Sequence, residues 1–115
     1  MSDAQREMPL FAKTFDLLAW LIPATNHFPK LYRHTVTKRL LDATLNFQEA
    51  ILTADALRGA ARLRQLTLAD GYLSQVRLYV RLAHRLRWLN DGQYQHVSRM
   101  IAEMGKLLGG WRKVT

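Results

Sequence analysis

The chain contains no cysteine among its 115 residues. This absence excludes disulfide bonds, zinc sites built on thiolates and cysteine nucleophiles, and it is typical of proteins from a reducing compartment. No signal peptide is recognisable, and the longest apolar blocks, such as 17–22, are too short to span a bilayer. We therefore expect a cytoplasmic protein that does not insert into a membrane.

Acidic residues are also scarce. The chain has 9 Asp and Glu against 17 Lys and Arg, which gives a formal net charge of +8. Such a balance favours polyanionic partners, with nucleic acid first and anionic membranes second. The 49% of hydrophobic residues predicts a folded protein, and the length predicts a single domain over 1–115 with a structured core of about 10–113.

Signatures of catalysis are missing as well. The four histidines show no paired metal-ligand spacing. Glu49 and Glu103 are each followed three residues later by a residue other than histidine, so the di-metal motif of helical bundles is absent. The glycines of 105–111 lack the order of a phosphate-binding loop, and no serine lies in a nucleophile elbow. We expect no catalytic residues, no cofactor and no metal.

Apolar residues recur at helical spacing almost throughout, which predicts an all-α protein. Breaks at 23–29, 55–59 and 90–92 divide the chain into four helices. Because the connections are short, an up-down-up-down antiparallel four-helix bundle is expected, and Asn90 with Gln93 predicts a capping box before the last helix. The predicted core positions are Phe11, Phe15, Leu18 and Ile22 in the first helix, Val36, Leu40, Ala43, Phe47, Ala50 and Ala54 in the second, and Tyr94, Val97, Ile101, Met104, Leu108 and Trp111 in the fourth.

The third helix is predicted to run from about Ala60 to Leu89 and carries an unusual charge pattern. Arg77, Arg81 and Arg85 recur every fourth residue, and like charges at this spacing cost about 0.2–0.5 kcal/mol per pair. Most of the remaining circumference is apolar, more than a lone four-helix bundle needs to bury. We therefore predict that a second face of this helix contacts another subunit in a homo-oligomer.

Positive charge is expected to collect at one end of the bundle. In an antiparallel bundle the first and third connections lie at the same end, and both are flanked by cations. Arginine side chains and helix N-termini bind phosphate well, which predicts a polyanion site there. Two other interpretations remain open: a solvated face, or ion pairs with Asp16, Asp42 or Glu103 of another subunit. The residues predicted to bind nucleic acid are Lys30, Arg33, His34, Lys38, Arg77, Arg81, Arg85 and Arg87.

Several segments, in their order and spacing, resemble a known family. They are FPK at 28–30 with Arg33, LADGYLSQVRLYVRLAHRL at 68–86, Gln93-Tyr94, and MGKLLGGW at 104–111. Together they are similar to the four-helix-bundle family that includes the accessory variability determinant (Avd) proteins of diversity-generating retroelements. The same family includes proteins encoded in intervening sequences of bacterial 23S ribosomal RNA genes. The resemblance covers about residues 10–113.

This resemblance implies a homopentameric barrel of four-helix bundles. It implies a non-enzymatic accessory protein that binds the reverse transcriptase of the retroelement and its template RNA or cDNA during mutagenic retrohoming. The matching positions that would carry the charge are Lys30, Arg33, Arg77 and Arg81. The alternative is a structural protein-interaction module of the intervening-sequence type. Both branches share FPK and GGW, and the basic charge favours the retroelement branch.

Overall fold

Four α-helices and two short helical segments form residues 9–115, the part of the chain that this computed structural model describes. The helices are α1 (Pro9–Thr25), α2 (Lys38–Ala56), α3 (Gly59–Arg85) and α4 (Asp91–Lys113). Between α1 and α2 lie a 3₁₀ turn (Lys30–Tyr32) and a π-helical segment (Arg33–Thr37). Residues 9–115 contain no strand, as the hydrophobic periodicity predicted.

Side-chain contacts show that neighbouring helices run antiparallel. Lys13 near the start of α1 forms an ion pair of 2.6 Å with Glu103 in the second half of α4. Trp20 near the end of α1 packs 5.5 Å from His96 near the start of α4, measured between ring centroids. The contacts of α3 with α4 follow the same rule, since Asp70 meets Arg112 and His84 meets Tyr94. The predicted antiparallel four-helix bundle is confirmed, and the number of subunits stays a prediction.

The buried seams of α2 and α4 are those that the sequence predicted. The α2 seam from Leu40 to Ala54 is buried, as is the α4 seam from Val97 to Trp111. Of the predicted core positions in these two segments, only Val36 and Tyr94 are half-buried instead. Steps of three and four residues place these side chains on one stripe of each helix, which faces the common core.

The predicted seam of α1 was only partly right. Leu18 is buried and Phe11 packs half-buried against the core, but Phe15 and Ile22 are 65% and 48% exposed. Besides Leu18, the helix buries Leu10, Leu17 and Leu21 together with two threonines. The Thr14 hydroxyl donates to the carbonyl of Leu10 over 2.7 Å, so a polar residue occupies a core position without an unsatisfied group. Because Thr14 interrupts the apolar pattern of α1, a search for apolar residues alone does not identify the buried stripe.

The end of α3 also differs from the prediction. The helix ends at Arg85, four residues before the predicted end, and Arg87 adopts a left-handed backbone conformation with φ of 63°. The amide of Trp88 then donates to the carbonyl of Ala83 over 2.8 Å, which is the hydrogen bond of a Schellman helix end. Glycine usually occupies the left-handed position, so an arginine there left no signal of the stop in the sequence.

The capping box that starts α4 is confirmed. The amide of Gln93 donates to the side-chain oxygen of Asn90 over 2.8 Å, and the amide of Asn90 donates to Gln93 Oε1 over 2.9 Å. These two bonds satisfy backbone donors that the helix itself leaves free. The α3–α4 connection is therefore fixed on both sides, by a Schellman end and by a capping box.

Arg62 joins α2 to α3 at the opposite end of the bundle. Its Nε donates to the carbonyl of Ala54 over 2.9 Å and its Nη2 donates to the carbonyl of Asp55 over 3.3 Å. The guanidinium also lies 5.5 Å from the ring centroid of Trp111 in α4. A cation that donates hydrogen bonds to the last carbonyls of a helix satisfies them and interacts favourably with the helix dipole.

Replacing Arg62 by alanine should therefore destabilise the fold. The change removes two charge-assisted hydrogen bonds and a cation–π contact, and we expect a loss of about 2 kcal/mol in the free energy of unfolding. Urea denaturation followed by circular dichroism measures it. Arg64→Ala is the matched control, because Arg64 is exposed and forms no ion pair within residues 9–115. Equal losses in both variants would contradict the assigned role of Arg62.

Candidate nucleic-acid interface

An aromatic stack holds the two connections of the predicted basic end together. Trp88, after α3, packs against Phe28 and Tyr32, which lie between α1 and α2. The ring centroids are 5.4 Å and 5.2 Å apart, and Trp88 and Tyr32 are stacked with an interplanar angle of 28°. The first and third connections therefore meet at one end, as predicted. Tyr32 and Trp88 stack on each other instead of presenting two free faces to a base.

The first basic groove lies between the end of α1 and the start of α2. It has a volume of about 430 Å³ and is lined by four of the predicted site residues, Lys30, Arg33, His34 and Lys38. Its remaining wall is partly apolar, with Phe28, Pro29, Leu41 and Leu45. Neither helical segment before α2 has an acidic residue in its first turn or a side-chain cap. The positive ends of these segments therefore add to the charge of the side chains.

Within the first basic groove the charge is only partly neutralised. Lys38 Nζ lies 2.6 Å from Asp42 Oδ2, an exposed ion pair one helical turn apart. Lys30, Arg33 and His34 form no ion pair within residues 9–115. The hydroxyl of Thr37, a residue of the groove wall, is buried without a hydrogen-bond partner.

The second basic groove is formed by the end of α3 and the turn after it. It has a volume of about 570 Å³, and Arg81, Arg85 and Arg87 line it together with Leu78 and Leu82. The left-handed conformation of Arg87 allows a third arginine to reach this groove after the helix has ended. Three guanidinium groups around one concave surface match an extended polyanion such as a nucleic-acid backbone.

The second basic groove has one acidic residue in its wall. Asp91 Oδ1 lies 2.8 Å from His84 Nε2, so the carboxylate is engaged by the imidazole. The hydrogen bond and the charge of His84 lower the pKa of Asp91 below its ordinary value of 3.8, and the charge of Arg87 lowers the pKa further. Asp91 is therefore ionised at neutral pH. The ring of His84 is itself held by Tyr94, 4.1 Å away and nearly parallel.

Arg77 does not join the other arginines. Its guanidinium lies against α4, where it occupies the space that a Cβ on Gly105 would need. It lines a separate pocket of about 200 Å³ between α3 and α4. Arg77 is thus the one predicted site residue that lines neither basic groove, although it belongs to the same every-fourth-residue row as Arg81 and Arg85. Each four-residue step rotates the position by about 40°, so the row leaves α4 and turns outward.

The two alternatives from the sequence can be compared with these contacts. Asp42 and Glu103, which were considered as partners of another subunit, form ion pairs with Lys38 and Lys13 of the same chain. Asp16 forms no ion pair within the described part of the chain. Seven of the eight predicted residues thus lie in two grooves at one end, and Lys38 alone among the seven forms an ion pair within residues 9–115.

Other kinds of site find no support in the described residues. Positions 9–115 contain no group of three or more His, Asp or Glu side chains that could hold a metal ion. Within the same range, no helix combines the length and the apolar character needed to cross a membrane.

Comparison with known proteins places the chain in a family. The model of the bAvd-like family matches residues 8–115, almost the whole chain. The chain belongs to the bAvd-like family. A crystal structure of a protein of unknown function from the S23 ribosomal protein family of Bacteroides thetaiotaomicron has the same fold, with a TM-score of 0.79 at 16% identity over 90% of this chain and 98% of that one. A comparison with curated proteins finds no match. The family that the sequence motifs resembled is confirmed.

In this bAvd-like chain the left-handed backbone at Arg87 lowers stability, while its guanidinium adds charge to the second basic groove. Substitutions at this position separate the two effects. Arg87→Gly should raise the free energy of unfolding by about 0.5–1 kcal/mol, because glycine adopts a positive φ without steric cost. The same change should weaken binding of single-stranded RNA, since one guanidinium leaves the second basic groove. Thermal unfolding and fluorescence anisotropy measure the two effects. Arg87→Lys is the control that keeps both the strain and the charge. A glycine variant that is more stable and binds RNA with wild-type affinity would show that Arg87 does not contact the RNA.

The lowered pKa of Asp91 predicts how stability depends on pH. Because the folded protein holds this carboxylate ionised, the stabilisation is fully present above the unfolded pKa, near the ordinary value of 3.8, and is lost as pH falls through the folded pKa. Asp91→Asn should be less stable than wild type at pH 6, and the difference should shrink below pH 3.8. Asp16→Asn is the control. Urea unfolding of both proteins between pH 6 and pH 3 measures this difference in the free energy of unfolding. A difference that does not change with pH would refute the contribution of the ion pair.

Proposed function

We propose that this chain is a non-enzymatic accessory protein of a diversity-generating retroelement. It binds the template RNA or cDNA through the two basic grooves, and it binds the reverse transcriptase to support mutagenic retrohoming. Membership of the bAvd-like family supports an accessory role for a helical protein. The nucleic acid and the reverse transcriptase as partners come from the charge and from the resemblance to Avd proteins.

The observation that carries the proposal is the convergence of cations from two distant segments. Residues 30–38 and residues 81–87 lie at one end of the bundle, where the Trp88 stack joins their two connections, and each group lines its own groove. Guanidinium and ammonium groups bind phosphates and release counterions, which supplies affinity without reading the bases. We therefore expect binding with low sequence specificity, since the grooves contain no pattern for base edges.

A homo-oligomer, a pentamer according to the resemblance, belongs to the same proposal. Phe15 and Ile22 on α1 are exposed, as are Leu45 and Leu52 on α2. Leu78 on α3 and Leu86 directly after it are exposed outside the core, which supports the second apolar face proposed from the sequence. Large apolar side chains at the surface of several helices are typical of subunit contacts. Copies of the chain would bury them and repeat the basic end around the assembly.

A second candidate function is a structural protein-interaction module without a nucleic-acid ligand, as in the intervening-sequence branch. The exposed leucines favour it, because they fit a protein partner better than a phosphate backbone. In that case the basic end would dock an acidic protein surface. Both candidates contain the same fold, so they differ only in what the two basic grooves contact.

Charge reversal separates the two candidates. Arg33→Glu combined with Arg85→Glu changes one residue in each groove and should reduce affinity for RNA by at least tenfold, since two phosphate contacts are lost. Electrophoretic mobility shift measures the affinity, and co-purification measures binding to the reverse transcriptase of the retroelement. The matched control is Arg64→Glu with Lys106→Glu, two exposed cations outside both grooves with the same change in net charge.

The outcomes point in opposite directions. Loss of RNA binding with the reverse-transcriptase complex intact supports the nucleic-acid proposal. Unchanged RNA binding with loss of the protein complex supports the interaction module instead. An equal loss of RNA affinity in the control variant would mean that the net charge of the protein determines the affinity, and that the grooves are not the binding site.

A further inference from the structure

A small pocket between α3 and α4 is distinct from both basic grooves. It has a volume of about 200 Å³ and is lined by Arg77, Val80, Tyr94, Ser98, Ile101 and Ala102. Three of these residues provide polar groups: a guanidinium, a phenol and a hydroxyl. Val80 and Ile101 are buried core residues that form an apolar floor. No acidic residue lines the pocket.

The polar groups of this pocket form no hydrogen bond or ion pair with the rest of residues 9–115. Within residues 9–115, neither Arg77 nor Ser98 has a hydrogen-bond partner or an ion pair, and the phenol of Tyr94 makes no hydrogen bond. The ring of Tyr94 is fixed by stacking on His84, 4.1 Å away with an interplanar angle of 3°. Donors that line a cavity and have no acceptor mark a place where an anion would gain several hydrogen bonds.

Gly105 allows the guanidinium of Arg77 to lie close to α4. A Cβ at this position would collide with Nη2 of Arg77, whereas a Cβ at Gly109 on the same helix would meet nothing within 4 Å. The absence of a side chain at 105 thus leaves room for the guanidinium beside the pocket. Arginine in this position offers two parallel N–H donors, which match two oxygens of one anion.

We propose that the pocket formed by Arg77, Tyr94 and Ser98 binds a terminal phosphate group, that is, a phosphate monoester. The guanidinium contacts two phosphate oxygens and the two hydroxyls donate to the third, so three terminal oxygens find donors. A carboxylate has only two oxygens, and an internal phosphodiester has two free oxygens and carries a sugar on each side. The volume is below the 300–1,000 Å³ typical of pockets for whole small-molecule ligands, so it fits the phosphate and not an entire nucleotide.

The phosphate monoester has two possible sources. One is the 5′ end of the RNA or cDNA, and this source rests on the proposed function. The other is a free phosphate or nucleotide, which does not depend on it. In the first case the pocket would hold a strand by its end while the two basic grooves hold its backbone.

The test compares strands that differ only in their terminal phosphate. A single-stranded RNA 12-mer with a 3′ fluorophore is prepared with a 5′-phosphate or a 5′-hydroxyl, and anisotropy gives both affinities. We expect the phosphorylated strand to bind about tenfold more tightly, since charge-assisted hydrogen bonds are among the strong ones. Inorganic phosphate and uridine 5′-monophosphate are titrated separately, followed by amide chemical shifts at positions 94–98.

Matched variants identify the pocket. Tyr94→Phe and Ser98→Ala each remove one hydroxyl and keep the packing, and each should reduce the preference for the 5′-phosphate severalfold. Gly105→Ala keeps every charge but displaces the guanidinium, and it should abolish most of the preference. Gly109→Ala is the control, because the same change on the same helix meets open space. Both alanines favour the helix, so the fold is retained.

The results separate this inference from the proposed function. Equal affinity for the two wild-type strands, with no shifts from inorganic phosphate, overturns the pocket while RNA binding itself stands. A preference that Gly105→Ala and Gly109→Ala reduce equally also overturns it. If neither strand binds but inorganic phosphate shifts residues 94–98 and Gly105→Ala prevents this, the pocket stands with a free-phosphate source and the nucleic-acid function fails.

Discussion

The packing of Trp88 against Phe28 and Tyr32 is the contact on which the basic end depends. Each aromatic pair contributes about 0.5–1.5 kcal/mol beyond the burial of its area. These contacts join two connections that are more than fifty positions apart in the chain and that both carry cations. Antiparallel connectivity places both groups of cations at one end of the bundle, and the stack holds the two connections against each other there. The stack therefore contributes to a defined basic surface, although the cations on it repel one another.

The same end of the bundle contains other features that stability alone does not explain. An arginine occupies a left-handed position that favours glycine, the start of the π-helical segment has no side-chain cap, and the Thr37 hydroxyl is buried without a partner. Strain and unsatisfied groups persist where another requirement maintains them. The opposite end shows the contrary pattern, since Arg62 satisfies the last carbonyls of α2 there.

Much of the fold was predictable from the sequence because most of its signals are local. The seams of α2 and α4 follow a 3.6-residue period, and the capping box of Asn90 and Gln93 has a fixed spacing. Prediction failed where a residue type was unusual for its position. Thr14 occupies a core site in α1, and Arg87 stands where glycine would have marked the end of α3.

The candidate site was only partly predictable. The residues of the two basic grooves could be named from charge and topology, because antiparallel connectivity places them at one end. The separation of Arg77 from Arg81 could not, since it depends on the space that Gly105 leaves on a different helix. The partners of Asp42 and Glu103 likewise became apparent only with the packing of the helices. The subunit number and the partners remain predictions.

We propose that phosphate contacts at the basic end hold nucleic acid to this bAvd-like protein. The most direct measurement is the affinity of the wild-type protein for single-stranded RNA as a function of salt concentration. Five cations of the two grooves, Lys30, Arg33, Arg81, Arg85 and Arg87, have no ion pair within residues 9–115. The logarithm of the association constant should therefore fall linearly with the logarithm of the salt concentration, with a slope of about −3 to −4. An affinity that does not change between low and high salt would contradict the account.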